Sequence, residues 1–188
     1  MYDDYPHRIN RADVRRLLIL YKYGGVFADL DVECLQPLWP ILSQYDCVVS
    51  REPPEHQWLI YNDTRPLFAL TGFMACTPQH PFFALLLRRL ASFAANARST
   101  SWNMNILNST GPVFVSEVIN EYSQHYNTSA HGLLHVAPSD LFMPTFDPSL
   151  ENFIRVKCHS GELSIGQRAV CDHLHRTGFR NRPSSSAV

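Results

Sequence analysis

Asp29 and Asp31, separated by Leu30 and preceded by Gly24-Gly25, are the residues of this chain whose types and spacing best suit chemistry. Ionised carboxylates are hard oxygen ligands of the kind that hold Mg2+ or Mn2+. An ion held this way keeps open positions for phosphate oxygens, so it can bridge to a bound nucleotide and neutralise a departing diphosphate. That chemistry requires both side chains on one side of the backbone. The run Val26-Phe27-Ala28-Asp29-Leu30-Asp31 reads as extended chain, in which successive side chains alternate faces. Asp29 and Asp31 are therefore expected together, with Leu30 pointing into the core. Gly24-Gly25 predicts a tight turn, because glycine takes positive φ without steric cost and lets a ligand approach the backbone.

The elements that must position this pair follow from the periodicity around it. A helix is expected over 10–23, with Asn10 as N-cap and Leu17, Leu18, Leu20 and Tyr21 on an apolar stripe. Asp13 and Arg16 stand three residues apart on that helix and share a face, where an ion pair is expected. An Arg fork oriented by a carboxylate is also better organised to bind oxygen ligands. Pro37, Trp39 and Pro40 mark a loop, 47–50 reads as a short strand before Pro53-Pro54, and 68–76 reads as a second apolar strand. His80-Pro81 introduces a helix that opens on Phe82 and Phe83, its apolar face in the core. His80 is expected to satisfy backbone at that helix start rather than to act as a ligand. Thr110 is expected to cap a further helix running through Val118 and Ile119. Gly111 would let backbone approach a ligand there, since a helix N-terminus suits a phosphate or a sugar hydroxyl.

The stretch 12–38 combines Asp13-Val14-Arg15-Arg16, Leu20-Tyr21-Lys22-Tyr23-Gly24-Gly25, Asp29-Leu30-Asp31 and Leu35-Gln36-Pro37-Leu38. Together these closely resemble the DXD sugar-binding region of family 32 glycosyltransferases. The wording Phe27-Ala28-Asp29-Leu30-Asp31-Val32-Glu33-Cys34-Leu35 looks most like the mannosyl-inositol-phosphoceramide synthase branch, and two later stretches, 72–82 and 108–114, also resemble the family. The resemblance implies an α/β, GT-A-like nucleotide-sugar transferase fold over 1–181, followed by a flexible tail over 182–188. Because 1–7 leads almost directly into the first helix, the N-terminal strands of that fold are expected to be missing, and any membrane anchor would belong to a preceding segment.

The implied activity is metal-dependent, retaining transfer of a hexose, with mannose favoured, from a nucleotide sugar to a glycolipid or glycan hydroxyl. GDP-mannose or a UDP-sugar would be the donor. Asp13, Arg16, Gly24, Gly25 and Asp29 would bind it, and Asp29 and Asp31 would hold Mn2+ or Mg2+. The resemblance also gives His173 and His175, in a His-rich segment near the end, a part in the metal site, although the His-x-x-x-Ser-Trp ending of the family is replaced here by His175-Arg176-Thr177-Gly178-Phe179. No catalytic base is identifiable.

With 188 residues, 45% apolar content and a net charge of -1, the chain can bury one ordinary core and has no electrostatic bias toward nucleic acid. No apolar run approaches the roughly 18 residues a membrane span requires. Asn62, Asn108 and Asn127 open glycosylation sequons that fit a Golgi or endoplasmic-reticulum lumen. Of the five cysteines, Cys158 and Cys171 are expected to pair, with Cys34, Cys47 and Cys76 as buried free thiols. A zinc cluster of Cys158, Cys171, His173 and His175 is disfavoured, because one-residue gaps between ligands do not follow finger spacing. The alternative to an enzyme is a catalytically incomplete carbohydrate-binding or regulatory protein. A glycosidase is a poor reading, since its two carboxyls must flank the bond from opposite sides.

Overall fold

The computed structural model describes residues 2–60, 67–97, 101–126, 132–142, 150–161 and 163–177. The chain divides into two compact units, Met1–Ser50 with Ala69–Ala137, and Arg51–Phe68 with Pro138–Val188. The tail 182–188 lies outside the described residues, as do Asn62 and Asn127.

The first unit is mixed α/β. Its sheet has the strand order β1-β3-β2-β4, built from β1 (Gly25–Ala28), β2 (Cys47–Arg51), β3 (Ala69–Cys76) and β4 (Leu134–Ala137). β1 lies antiparallel to β3, with Gly25 opposite Cys76 and Ala28 opposite Phe73, and β2 lies parallel to β4. The helices are α1 (Arg8–Tyr23), the single turn α2 (Trp39–Leu42), α3 (Pro81–Ala97), α4 (Trp102–Ser109) and α5 (Pro112–His125). Val14, Leu17 and Leu20 turn the inner face of α1 into the core, which also holds Phe73, Met74, Phe82, Phe83, Phe114, Val118 and Tyr122. The ring of Phe82 meets those of Phe83 and Tyr122 edge-on, each at 5.5 Å between centroids. Each such buried side chain contributes about 1.5–3 kcal/mol.

Three expectations about α1 and its surroundings are corrected. The helix starts two residues earlier than expected, with His7 in the extended N-cap position, so Asn10 lies inside it and is fully buried. Leu18 and Ile19 face outward, because the inward stripe runs through Val14, Leu17 and Leu20 at helical spacing. Cys34 is exposed, whereas Cys47 and Cys76 are buried free thiols as expected.

In the second unit, the residues 56–60 form a π-helical turn, followed by α6 (Ser139–Phe142), α7 (Glu151–His159) and α8 (Ile165–Thr177). Leu59, Ile154, Leu163, Cys171 and Leu174 form its apolar cluster. The Cys158–Cys171 disulfide is present, closing a loop with a sequence separation of 13. Ser164 and Gln167 cap α8 reciprocally: the Gln167 N–H donates to Ser164 Oγ at 3.3 Å, and the Ser164 N–H donates to Gln167 Oε1 at 3.0 Å. Among the described residues, no helix is long and apolar enough to cross a membrane.

His80 behaves as its sequence position suggests. It stands before Pro81 and its Nδ1 accepts the Phe82 N–H at 3.2 Å, which caps α3. The ring is buried against Gly132, whose φ is 82° and whose absent Cβ would come within 2.8 Å of His80 Nε2. Burial holds the imidazole below its ordinary pKa, partly offset by Asp46. The unfolded chain therefore binds the proton more readily. Stability should be fully present above the ordinary value near 6.5 and should fall as pH drops below it, by up to about 1.4 kcal/mol per pH unit. His80→Asn keeps a cap acceptor without the titration. Urea midpoints at pH 7.5 and 5.5 should separate more for the unsubstituted chain than for this variant, and equal separations would refute the linkage.

Candidate functional site

The helix α1 ends at Gly24, whose φ of 66° and ψ of -158° only glycine adopts readily. Two carbonyls freed at the helix end are taken up at once: the Gly24 N–H donates to Leu20 O at 2.8 Å, and the Gln79 N–H donates to Tyr21 O at 2.6 Å. A Cβ on Gly24 would lie 2.7 Å from Pro78 Cδ and 2.8 Å from Cys76 O, so the space beside this glycine belongs to the β3–α3 turn. Gly25, with φ of 97°, faces open space. Both glycines take the positive φ that the sequence led one to expect, as the chain passes from α1 directly into β1. Gly24 is packed against the β3–α3 turn, and Gly25 leaves its side open.

β1 then runs only to Ala28, which changes the geometry expected for the acidic pair. The Asp29 N–H donates to Gly72 O at 2.9 Å, and the Val32 N–H closes back on Asp29 O at 3.1 Å. Asp29 to Val32 is thus a turn and not extended strand, and the alternation rule does not govern it. Leu30 is correspondingly fully exposed, at 107% relative accessibility, rather than in the core. Asp31 is exposed, while Asp29 is half-buried. The two carboxylates nevertheless feel one another. Burial raises the Asp29 carboxyl above its ordinary value, Arg16 pulls it back, and the negative charge of Asp31 pushes it up again.

Asp13 and Arg16 form the expected pair, with Arg16 Nη2 donating to Asp13 Oδ1 at 2.6 Å. The same guanidinium donates through Nη1 to Thr71 O at 2.8 Å and lies 3.6 Å from Asp29 Oδ1. Its Cζ sits 4.5 Å above the centre of the Phe27 ring. Arg16 thereby joins α1, β1, β3 and the acidic turn. Its Nε is buried and makes no hydrogen bond among the described residues. Burial raises the Asp13 carboxyl, Arg16 and the Thr110 hydroxyl lower it, and Asp29 raises it.

Thr110 does not cap α5. Gly111 occupies that position without a side-chain cap, and the Thr110 hydroxyl instead donates to Asp13 Oδ2 at 2.7 Å. The Asn108 sequon accordingly ends in a hydroxyl turned inward, on a residue that is 2% exposed. Gly72 and Thr71 were not among the expected site residues. An isolated glycine within a strand is the signal for them, since it marks a close approach. A Cβ at Gly72 would meet Asp29 Oδ2 at 3.0 Å.

His173 and His175 lie on α8 in the second unit, where the His175 ring meets that of His159 edge-on at 5.7 Å. Among the described residues, no three His, Cys, Asp or Glu side chains gather into a metal-binding cluster. Asp29 and Asp31 still fit a hard divalent cation. They are two adjacent anions, of which only Asp29 has a cationic neighbour among the described residues, and two carboxylates leave the remaining positions to water and phosphate in the manner of Mg2+.

Residues 1–48, which hold the acidic turn, the glycine hinge and the Asp-Arg pair, match the family described as a glycosyltransferase sugar-binding region containing the DXD motif. The chain is 39% identical over 115 residues to inositol phosphoceramide mannosyltransferase 3 of Schizosaccharomyces pombe, covering 61% of this chain and 28% of that protein. It is also 32% identical over 146 residues to mannosyl phosphorylinositol ceramide synthase CSH1 of Saccharomyces cerevisiae, covering 76% of this chain and 34% of that one. The chain thus spans about a third of the length of these curated relatives.

Proposed function

We propose that this chain is the donor-site portion of a GT-A-type, metal-dependent mannosyltransferase, which moves mannose with retention from GDP-mannose to a hydroxyl of an inositol phosphoceramide-type glycolipid. The observation that carries the reading is the Asp13–Arg16–Asp29 assembly behind the Gly24-Gly25 turn, inside the matched DXD region. The names of the relatives support mannose and the lipid acceptor. Asp29 and Asp31 would hold Mn2+ or Mg2+, which when bound neutralises charge gathering on the departing diphosphate. Arg16, fixed on Asp13 and Thr71 O, presents a preorganised cation to donor oxygens. Asp13 keeps that cation from collapsing fully onto Asp29. The open backbone at Gly25 leaves room for the donor to approach. The Cys158–Cys171 disulfide supports a Golgi or endoplasmic-reticulum lumen, since such bonds persist in oxidising compartments.

Incubation of the chain with GDP-mannose, inositol phosphoceramide and Mn2+ should yield a product one hexose heavier by mass spectrometry, and EDTA should abolish it. Calorimetric titration of GDP-mannose should be saturable only with the metal present. Metal-independent binding of sugar with no turnover would replace the enzyme with a carbohydrate-binding module.

A further inference from the structure

We propose that Thr110 is a positioning residue for the donor site: its hydroxyl aims Asp13, Asp13 aims Arg16, and Arg16 is thereby held beside Asp29. The inference rests on the donor-site reading above and deepens it by extending the site to a residue 97 positions away from Asp13 in sequence.

The direction of each hydrogen bond can be fixed from donor counting. The Asn10 amide donates to Ser109 Oγ and to Thr110 Oγ1, each at 3.0 Å, using both of its N–H groups. Its acceptor oxygen is buried and has no partner, so the amide acts here purely as a donor. Thr110 Oγ1 therefore receives one hydrogen bond and must spend its single proton elsewhere. Asp13 Oδ2, at 2.7 Å, takes it. With Oδ2 so occupied, the other carboxylate oxygen faces Arg16 Nη2 at 2.6 Å. The guanidinium is planar, so fixing Nη2 on Asp13 and Nη1 on Thr71 O fixes its plane, and the face of that plane rests on Phe27.

Burial makes the arrangement consequential. Asn10, Asp13, Ser109 and Thr110 are all buried, at 0%, 6%, 1% and 2% exposure, so water cannot stand in for a lost hydroxyl. An ionised carboxylate stripped of one buried donor loses a charge-assisted bond, and its remaining oxygen is free to rotate toward Arg16. The guanidinium then has no single preferred orientation beside Asp29.

Three variants separate a hydroxyl role from packing. Thr110→Val conserves volume and removes the donor, Thr110→Ser conserves the donor and removes a methyl, and Ser109→Ala disturbs the same Asn10 amide without touching Asp13. Two readouts apply to each: KM and kcat for GDP-mannose with Mn2+, and the side-chain Arg16 guanidinium resonances by 15N NMR. Thr110→Val should raise KM about tenfold, with a smaller change in kcat, and should collapse the separate Arg16 Nη signals into a rotationally averaged set. Thr110→Ser should restore both, and Ser109→Ala should leave KM within about twofold.

Should Thr110→Val fail to fold, Thr110→Ala removes the same donor with no bulk and carries the same readouts. Equal effects of Thr110→Val and Ser109→Ala, or unaltered Arg16 signals in Thr110→Val, would overturn the proposal. Absence of GDP-mannose binding by the unsubstituted chain would overturn the donor reading itself. That failure is distinguishable, because the NMR arm still shows whether Thr110 holds Arg16.

Discussion

Asp31→Asn should lower metal-dependent turnover of GDP-mannose by at least about 100-fold while leaving the unfolding midpoint unchanged. The separation of the two effects follows from where Asp31 stands. It is exposed on the turn after β1, so replacing its carboxylate by an amide removes no buried bond, and a surface change of this kind moves stability by no more than about 0.5 kcal/mol. What it does remove is half of the anionic charge available to a cation at this turn. Asn retains an oxygen of similar size, which makes loss of charge the variable under test. Asp29→Asn should behave differently, because Asp29 is half-buried and 3.6 Å from Arg16. Its loss should affect both donor handling and the orientation of the guanidinium. Mn2+ titration by electron paramagnetic resonance, run beside the turnover assay, should show weakened metal binding in Asp31→Asn. Retained turnover with an unchanged metal dependence would remove Asp31 from the site.

The residues that announced themselves in the sequence are those whose chemistry is local. Gly24-Gly25 is legible because glycine alone takes positive φ without steric cost, and both residues take it. Asp13 and Arg16 read as a pair because helical spacing alone puts them on one face. The strand and helix around 69–97 follow from a largely apolar run and from Pro81. The acidic turn departs from the sequence expectation for a reason equally physical: β1 ends at Ala28, opposite Phe73, while its partner β3 continues to Ala69, and that partner lies more than forty residues away in the sequence. Local alternation carried Leu30 into a core that the sheet does not extend to. Thr110 failed as a cap for a similar reason. A hydroxyl oxygen beside a helix start ordinarily accepts a backbone N–H of its own helix, but here that oxygen accepts from the Asn10 amide, its proton goes to the buried Asp13 carboxylate on α1, and Gly111 takes the cap position. α4 and β4 lacked strong periodicity. The start of α8, by contrast, carries its signal in Ser164-Ile165-Gly166-Gln167, a reciprocal capping pattern.

The hinge behind the acidic turn can be tested by two substitutions that look alike in sequence and differ in structure. Gly24→Ala places a methyl group against Pro78 Cδ at 2.7 Å and Cys76 O at 2.8 Å, and it does so at a φ of 66° and ψ of -158°. The backbone strain alone costs about 1–3 kcal/mol. The contact with Cys76 O cannot be relieved by a rotamer change, since that oxygen belongs to the backbone of β3, so overpacking adds a similar amount. Gly25→Ala meets nothing within 4 Å and bears only the strain of a φ of 97°. Gly24→Ala should therefore destabilise the chain by about 3 kcal/mol or more, and Gly25→Ala by about 1–2 kcal/mol. Urea unfolding of both variants measures the difference. The functional consequences should run the other way in kind. Gly24→Ala can relax only by moving the β3–α3 turn away from the end of α1, which carries β1 and Asp29 with it, so Mn2+ affinity should fall together with stability. Gly25→Ala adds a methyl to the face left open for the donor, so it should raise KM for GDP-mannose with Mn2+ affinity retained. Equal stability losses in the two variants, or a Gly24→Ala protein with unaltered metal binding, would show that the hinge does not set the position of the acidic turn.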